Sequence, residues 1–442
     1  MPIPRLLMLS AVALAVQGFV AVQAQAQSLM ALYESARAVD PALQSAKLSY
    51  EANLARAAQA EAVRYPSANL SASATRSHVE NNNPIVSRST TSQGTTVSGS
   101  YPLYRPANDA SLEQGRKTIE LAQAQLLTAE QDLMIRISQA YFDLLASQDS
   151  LTFVRAQKTA TAEQLAAAKR NFEVGTSTIT DQREAEARFD LVRAQEVAAE
   201  NDLRVKQSAL DQLAGVAKSE PIGLATPVKL PSPSPVDVES WVLMAEESHP
   251  SIRSARVNAE IAKLEVDKAQ AGHKPTLDLT ASYTRNYSAG SAATAVTAIS
   301  QNTSIGLAFN LPLFAGYATQ NRIRETLYLE DKARADLEVA RRSIAQSTRA
   351  AYFGVLSALG QAQALQAAEA SSQSALDANR LGYQVGVRIN IDVLNAQSQL
   401  FQTKRDLARA RYDVLLGSLR LRQANGSLKQ SDLSDVNGLL RR

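Results

Sequence analysis

From Ser28 to about Val63 apolar residues recur at three- and four-residue spacing (Leu29, Leu32, Ala36, Val39, Leu43), which predicts helix. Asp40-Pro41 predicts a break or kink in it, and Tyr65-Pro66 its end. The period then changes to two. Leu70, Ala72 and Ala74 alternate with polar residues across Ser67–Thr75, and Val97, Gly99, Tyr101 and Leu103 do so across Thr95–Tyr104, predicting strands with one apolar and one polar face. Between them Ser77–Gly94, rich in Asn, Ser and Thr, predicts a long exposed loop. From Ala107 to about Phe172 a heptad runs through Leu112, Ile119, Leu126 and Leu133. It resumes, shifted by four, at Ile137, Leu144, Leu151, Leu165 and Phe172. Such a shift is a stutter, handing one packing seam to another along a single long helix. A second heptad (Phe189, Leu203, Leu210) ends near Gly215, with Asp181 expected as its N-cap and Glu184 as the capping-box partner.

After a stiff Pro-rich linker, residues 226–236, the programme repeats. His249-Pro250 answers Asp40-Pro41, Pro275 answers Pro66, and Ala351-Tyr352-Phe353 answers Ala140-Tyr141-Phe142, all about 210 residues on. Strands are expected at Thr276–Arg285 and Thr303–Leu313 around a Ser288–Gln301 loop. Long helices follow through Ile323, Leu337, Ile344 and Leu365, then Leu400, Leu407, Val414 and Leu421, closed by Gly426. The expected units are residues 27–225, residues 237–426 and a tail, 427–442, without strong pattern. Each repeat has a helical hairpin whose tip is written twice, as Arg170–Asp181 and Arg380–Asp392.

Composition narrows the setting. Arg5, the apolar run Leu6–Val22 and Ala24-Gln25-Ala26 predict a signal peptide, residues 1–26, cleaved after Ala26; a retained anchor is the alternative. Cysteine is absent, as suits an exported chain, and a net charge of +3 argues against a nucleic-acid partner. Beyond Ala26 no apolar run approaches the ~20 residues of a spanning helix, so a membrane crossing would have to be a β-barrel. The strands are long enough for one. Tyr65, Tyr101, Tyr104, Tyr283, Tyr287, Phe309 and Tyr317 cluster near their ends as interfacial girdles do, although a small soluble sandwich would alternate in the same way. So few strands cannot close around a lumen, and several copies would have to share one barrel. His78, His249 and His273 have no metal-ligand spacing, and no nucleophile motif or phosphate loop is present; neither a cofactor nor enzymatic activity is expected.

Read together, the chain resembles the TolC family of outer-membrane efflux proteins over almost its whole length after residue 26. The matching strings are Ser28–Arg37, Ala140–Leu145, Phe172–Gly175 with Ile179–Asp181, Gly272–Ser282, and Tyr383–Gly386 with Ile391–Leu394. The resemblance implies an α+β membrane protein: a homotrimer whose outer-membrane β-barrel, surrounded by outer-membrane lipid, continues into a long periplasmic α-helical coiled-coil barrel. It implies the exit duct of a tripartite efflux or type I secretion system, recruited by a periplasmic adaptor to an inner-membrane pump of the ABC, RND or MFS type. A periplasmic adaptor protein is the rival reading. By the same resemblance Val174, Gly175, Val385 and Gly386 would dock the adaptor, and Tyr383 and Arg388 would donate to Asp181 and Thr180 in a gate, Arg388 reaching a neighbouring helix pair. Asp392 would form a cation-selective ring, with Asn395 standing where the family often has a second acidic ring. Without the resemblance the glycines read as helix C-caps, Asp181 as an N-cap and Arg388 as a solvated loop charge.

Overall fold

The computed structural model describes residues 27–82, 85–225, 227–289 and 296–441. The signal-peptide expectation, residues 1–26, lies outside them. The first repeat holds α1 (Leu29–Val39), α2 (Pro41–Glu61), β1 (Ser67–Asn82), β2 (Ile85–Tyr104), α3 (Pro106–Glu173) and α4 (Ile179–Ala214). The second holds α5 (Val238–Ser248), α6 (Pro250–Gln270), β3 (Thr276–Ala289), β4 (Thr297–Asn310), α7 (Ala318–Gln384) and α8 (Asn390–Ala424), and α9 (Gln430–Asn437) follows. The break at Asp40-Pro41 is a helix junction. Asp40 caps α2 through Leu43 N at 2.7 Å, with Pro41 at the first helical position, where a missing N–H costs nothing. Arg136 bonds both oxygens of the buried Asp40 carboxylate, which holds that carboxyl below its ordinary range.

The sheet is antiparallel in the order β1-β2-β3-β4. Its register puts Leu70, Val97, Tyr283 and Thr303 on one rung, and Ala68, Gly99, Ala281 and Ile305 on the next. Leu279 with Leu307 and Leu277 with Phe309 continue the same face. The opposite face is polar. Thr96 and Thr284 hydroxyls meet at 3.1 Å, those of Ser282 and Ser304 at 2.8 Å, and Arg105 forks onto Asp278 at 2.8 and 2.6 Å.

Two expected loops are corrected. Most of Ser77–Gly94 is strand: β1 and β2 stay paired to Asn82–Ile85, far past the last β2–β3 rung at Ser92–Ser288. In Ser288–Gln301, Ser288 and Ala289 belong to β3 and 297–301 to β4. A ribbon wetted on both faces needs no hydropathy alternation, because its ladder satisfies the backbone and Ser, Thr and Asn serve on either side. Conversely β4 stops at Asn310 rather than Leu313, just ahead of Pro312, which cannot donate to a ladder.

Below the sheet α3, 68 residues, extends about 100 Å at ~1.5 Å per residue. Its first part lies between α2 and α6, its second pairs with α4, and α7 is accompanied in the same way by α6 and then α8. The main core sits midway, where α1, α3, α4, α8 and α9 bury Leu32, Leu133, Ile137, Tyr141, Phe142, Leu210, Leu415 and Leu433. Here the tail departs from expectation, since Leu428, Leu433, Val436 and Leu440 are all buried. Both ends of the described chain flank one extended segment: Gln27 N donates to Glu220 O at 2.7 Å and Arg441 N to Gly223 O at 2.8 Å.

Gly426 ends α8 with φ +75°, and a Cβ there would stand 2.5 Å from His249 Cα. Both the backbone sign and the clash with main chain oppose any side chain. Gly426→Ala is expected to lose on the order of 2–4 kcal/mol of stability, and Gly223→Ala, whose Cβ meets nothing within 4 Å, close to none. Thermal unfolding followed by circular dichroism compares the two.

Candidate functional site

Two tips form the end of the helical part remote from the sheet, and their backbones match. α3 is capped at its C-terminus by Val174, with Gly175 at φ +75°; α7 is capped by Val385, with Gly386 at φ +77°. In each the next two amides fold back on one carbonyl: Thr176 and Ser177 N–H on Asn171 O, Val387 and Arg388 N–H on Gly382 O. Both glycines are therefore helix C-caps in the left-handed region, as a residue-level reading expects. Their surroundings add something capping does not need. A Cβ on either would meet open space, and Val174, Val385, Val387 and Ile389 are 73, 66, 79 and 61% exposed.

The second helices of the tips begin differently. α4 begins at Ile179, so the N-cap is Thr178 rather than Asp181, and Asp181 rather than Glu184 is its capping-box partner. Asp181 N donates to Thr178 Oγ1 at 3.2 Å while Thr178 N and Oγ1 donate to Asp181 Oδ2 at 3.1 and 2.9 Å. A threonine hydroxyl and a carboxylate three residues on satisfy each other's turn, which moves the cap back by three residues. Thr180 stands exposed on the same turn. In α8 the cap position is Ile389, whose side chain accepts nothing, so the matching Asp392 is left to Arg388 at 3.7 Å. That pair is exposed enough to contribute only about 0–1 kcal/mol.

Within the protomer the Tyr383 hydroxyl accepts from Asn171 Nδ2 at 3.2 Å. Asn395 Oδ1 accepts from Arg188 at 2.8 Å. Between these ties lies one that sequence reasoning missed: Asn390, fully buried, accepts from Gln164 Nε2 and donates to Asp181 O at 3.2 Å, joining α8 to both helices of the first hairpin. A dry cluster of Ala168, Ala185 and Leu394 backs it. The available signal was a comparison of the two tips, in which Asn390 replaces the apolar Ile179 at the first helical position. Higher up, Tyr412 donates to Asp149 at 2.6 Å across the same two hairpins, and burial pushes the Asp149 carboxyl up despite that bond. The arrangement has the chemistry of a latch. Polar links join two hairpins near a free end, with solvent able to replace the exposed ones.

Among the described residues no helix is long and apolar enough to cross a membrane, and no group of three His, Asp or Glu could hold a metal ion.

The sequence matches the family described as outer membrane efflux protein over residues 32–216 and 241–427, one match per repeat. It is 33% identical to outer membrane protein TolC of Vibrio cholerae over 94% of each chain. It is 30% identical to the alkaline protease secretion protein AprF of Pseudomonas aeruginosa over 77% of this chain and 71% of that one. Its fold matches the crystal structure of the outer membrane protein VceC of Vibrio cholerae with a TM-score of 0.76, at 22% identity, over 90% of this chain and 96% of that one.

Proposed function

Because the chain belongs to the outer membrane efflux protein family, we propose that it works as an exit duct across the outer membrane, for efflux or type I secretion, with its helical part in the periplasm. The observation that carries this is the sheet: four strands with one continuous, exposed apolar face and open edges on β1 and β4. Such edges are not tolerated in lipid, so copies must join edge to edge. Three copies give an even-stranded barrel in line with the family, and the long helices then assemble beneath it into a tunnel closed at the tips.

The chain divides for this purpose into a signal peptide (1–26), two repeats (27–225 and 237–426), the linker between them (226–236) and a tail (427–442). The gate is assigned to Thr180, Asp181, Tyr383 and Arg388. Tyr383 accepts from Asn171 but keeps its own proton to donate toward Asp181, and the exposed Arg388 can exchange Asp392 for Thr180 and Asp181 of the neighbouring copy. Val174, Gly175, Val385 and Gly386 receive a periplasmic adaptor, which links the duct to an inner-membrane pump of the ABC, RND or MFS type. Asp392 supplies one carboxylate per copy at the constriction, and Asn395, held by Arg188, contributes no charge.

Single-channel recording in planar bilayers tests the reading. The wild type is expected to conduct weakly and to prefer cations. Asp392→Asn is expected to bring the cation-to-anion permeability ratio, read from the reversal potential, several-fold closer to one, because charge at a narrow low-dielectric site acts with little screening. Folded trimers that insert but never conduct would overturn the exit-duct reading.

A further inference from the structure

The sheet carries a feature that conduction does not use. On its apolar face the rungs run upward, away from the helices, from Leu277–Phe309 to Ala74–Gln93–Tyr287–Ile299. Ten residues separate Phe309 from Ile299, about 34 Å of strand at ~3.4 Å per residue and about 26 Å of height at a ~40° tilt. That height is the thickness of a lipid-facing band. The outer end of the band is where the apolar face gains cations. Arg285 sits with Ala72, Thr95 and Gln301 one rung below Tyr287, and Arg76 with Thr91 one rung above.

Both arginines share the face of Leu70, Val97, Tyr283 and Ile305, and both are exposed. Among the described residues no carboxylate pairs with either. The nearest acid on this face, Glu80, lies two rungs above Arg76 and is 3.7 Å from His78. By the pairing, Arg76 and Arg285 are four residues apart along the strands and two strands apart across them. Their Cα atoms are thus about 17 Å apart, near enough for two long side chains to face one headgroup across Tyr287. An outward arginine at the rim of a barrel is unfavourable unless its guanidinium reaches polar ground, and a planar fork of donors matches phosphate.

We propose that Arg76 and Arg285, with Tyr287 between them, form an outward-facing site for the phosphate groups of an outer-leaflet lipid. The proposal rests on the outer-membrane barrel reading. The ligand is recognised by charge and hydrogen bonding at the headgroup, and its acyl chains lie along the Leu70, Val97, Tyr283 and Ile305 surface below.

Native mass spectrometry of the detergent-solubilised protein tests it, with a bisphosphorylated glucosamine-based lipid, the same lipid stripped of phosphate, and inorganic phosphate as probes. Wild type is expected to retain the phosphorylated lipid, and the R76Q/R285Q double variant to bind it roughly tenfold or more weakly, with Arg285→Lys in between. Equal binding by wild type and double variant, or equal retention of the stripped lipid, would overturn the site. Displacement of the lipid by inorganic phosphate at comparable concentration would show a free-anion site and overturn the lipid assignment. The same samples are recorded in planar bilayers. Conduction by both proteins with no difference in lipid binding sinks this site alone, whereas failure of both to conduct sinks the barrel reading beneath it.

Discussion

Tyr383→Phe combined with Arg388→Ser is expected to raise single-channel conductance several-fold above wild type, with Arg388→Ser alone intermediate. The links at the tips are weak singly. An exposed charge pair contributes about 0–1 kcal/mol, and a hydroxyl bond about 0.5–1.5 kcal/mol. In the gate proposed above, closure depends on their sum over the assembly. Two such links in each of three copies come to roughly 1.5–7.5 kcal/mol, a range that includes the ~5.5 kcal/mol needed to carry a two-state equilibrium from mostly closed to mostly open. The substitutions leave the buried tie of Asn390 to Gln164 and Asp181 in place, so each hairpin pair should stay folded while the tips part. If the double variant conducts like wild type, the constriction lies elsewhere, and Asn390→Ala becomes the next variant to record.

Gly175→Arg together with Gly386→Arg is expected to abolish export in cells that carry the pump and adaptor, at least a tenfold loss of resistance or secretion, while conductance in bilayers stays near wild type. The cost to folding is limited. Both glycines are at positive φ, which costs a side chain on the order of 1–3 kcal/mol, but a Cβ at either meets nothing within 4 Å. The cost to docking is not limited in that way, because a long charged side chain would stand on the apolar corner that Val174, Val385, Val387 and Ile389 leave open. Export that declines only in proportion to thermal stability would return both glycines to plain helix capping.

The architecture was legible wherever one side of an element faces a different medium from the other. Leu70, Val97, Leu279 and Ile305 alternate because one face of the sheet is apolar and the other polar, and Leu112, Leu133 and Leu144 repeat because one stripe meets another helix. The β1–β2 ribbon beyond Arg76–Thr91 carries mostly Ser, Thr, Asn and charged residues on both faces, so its strand character left no hydropathy trace. Leu428, Leu433, Val436 and Leu440 are too few to set a period, and their burial comes from packing in the core where α1, α8 and the Leu224 segment meet the tail. At the tips the resemblance pointed to Tyr383, Arg388, Asp181 and the glycines, and the structure places all of them there. The resemblance did not locate Asn171, Gln164 or Asn390, because an amide in an alanine-rich helix declares itself only through the partner opposite. The Thr178 cap was readable, since a threonine followed three residues later by an aspartate is a stronger start signal than the Asp181–Glu184 pairing that was expected.

The ribbon in which Arg76–Asn82 pairs with Ile85–Thr91 continues alone beyond the four-stranded sheet. In experimental terms it is a handle. Its far rungs pair with neither β3 nor β4, so an epitope or a single cysteine at Ser87 or Ser89 is expected to tag the cell surface without disturbing the four-stranded sheet. In a chain with no cysteine of its own, a membrane-impermeant maleimide would then count correctly inserted channels on intact cells, separating every export defect discussed above from a failure of assembly.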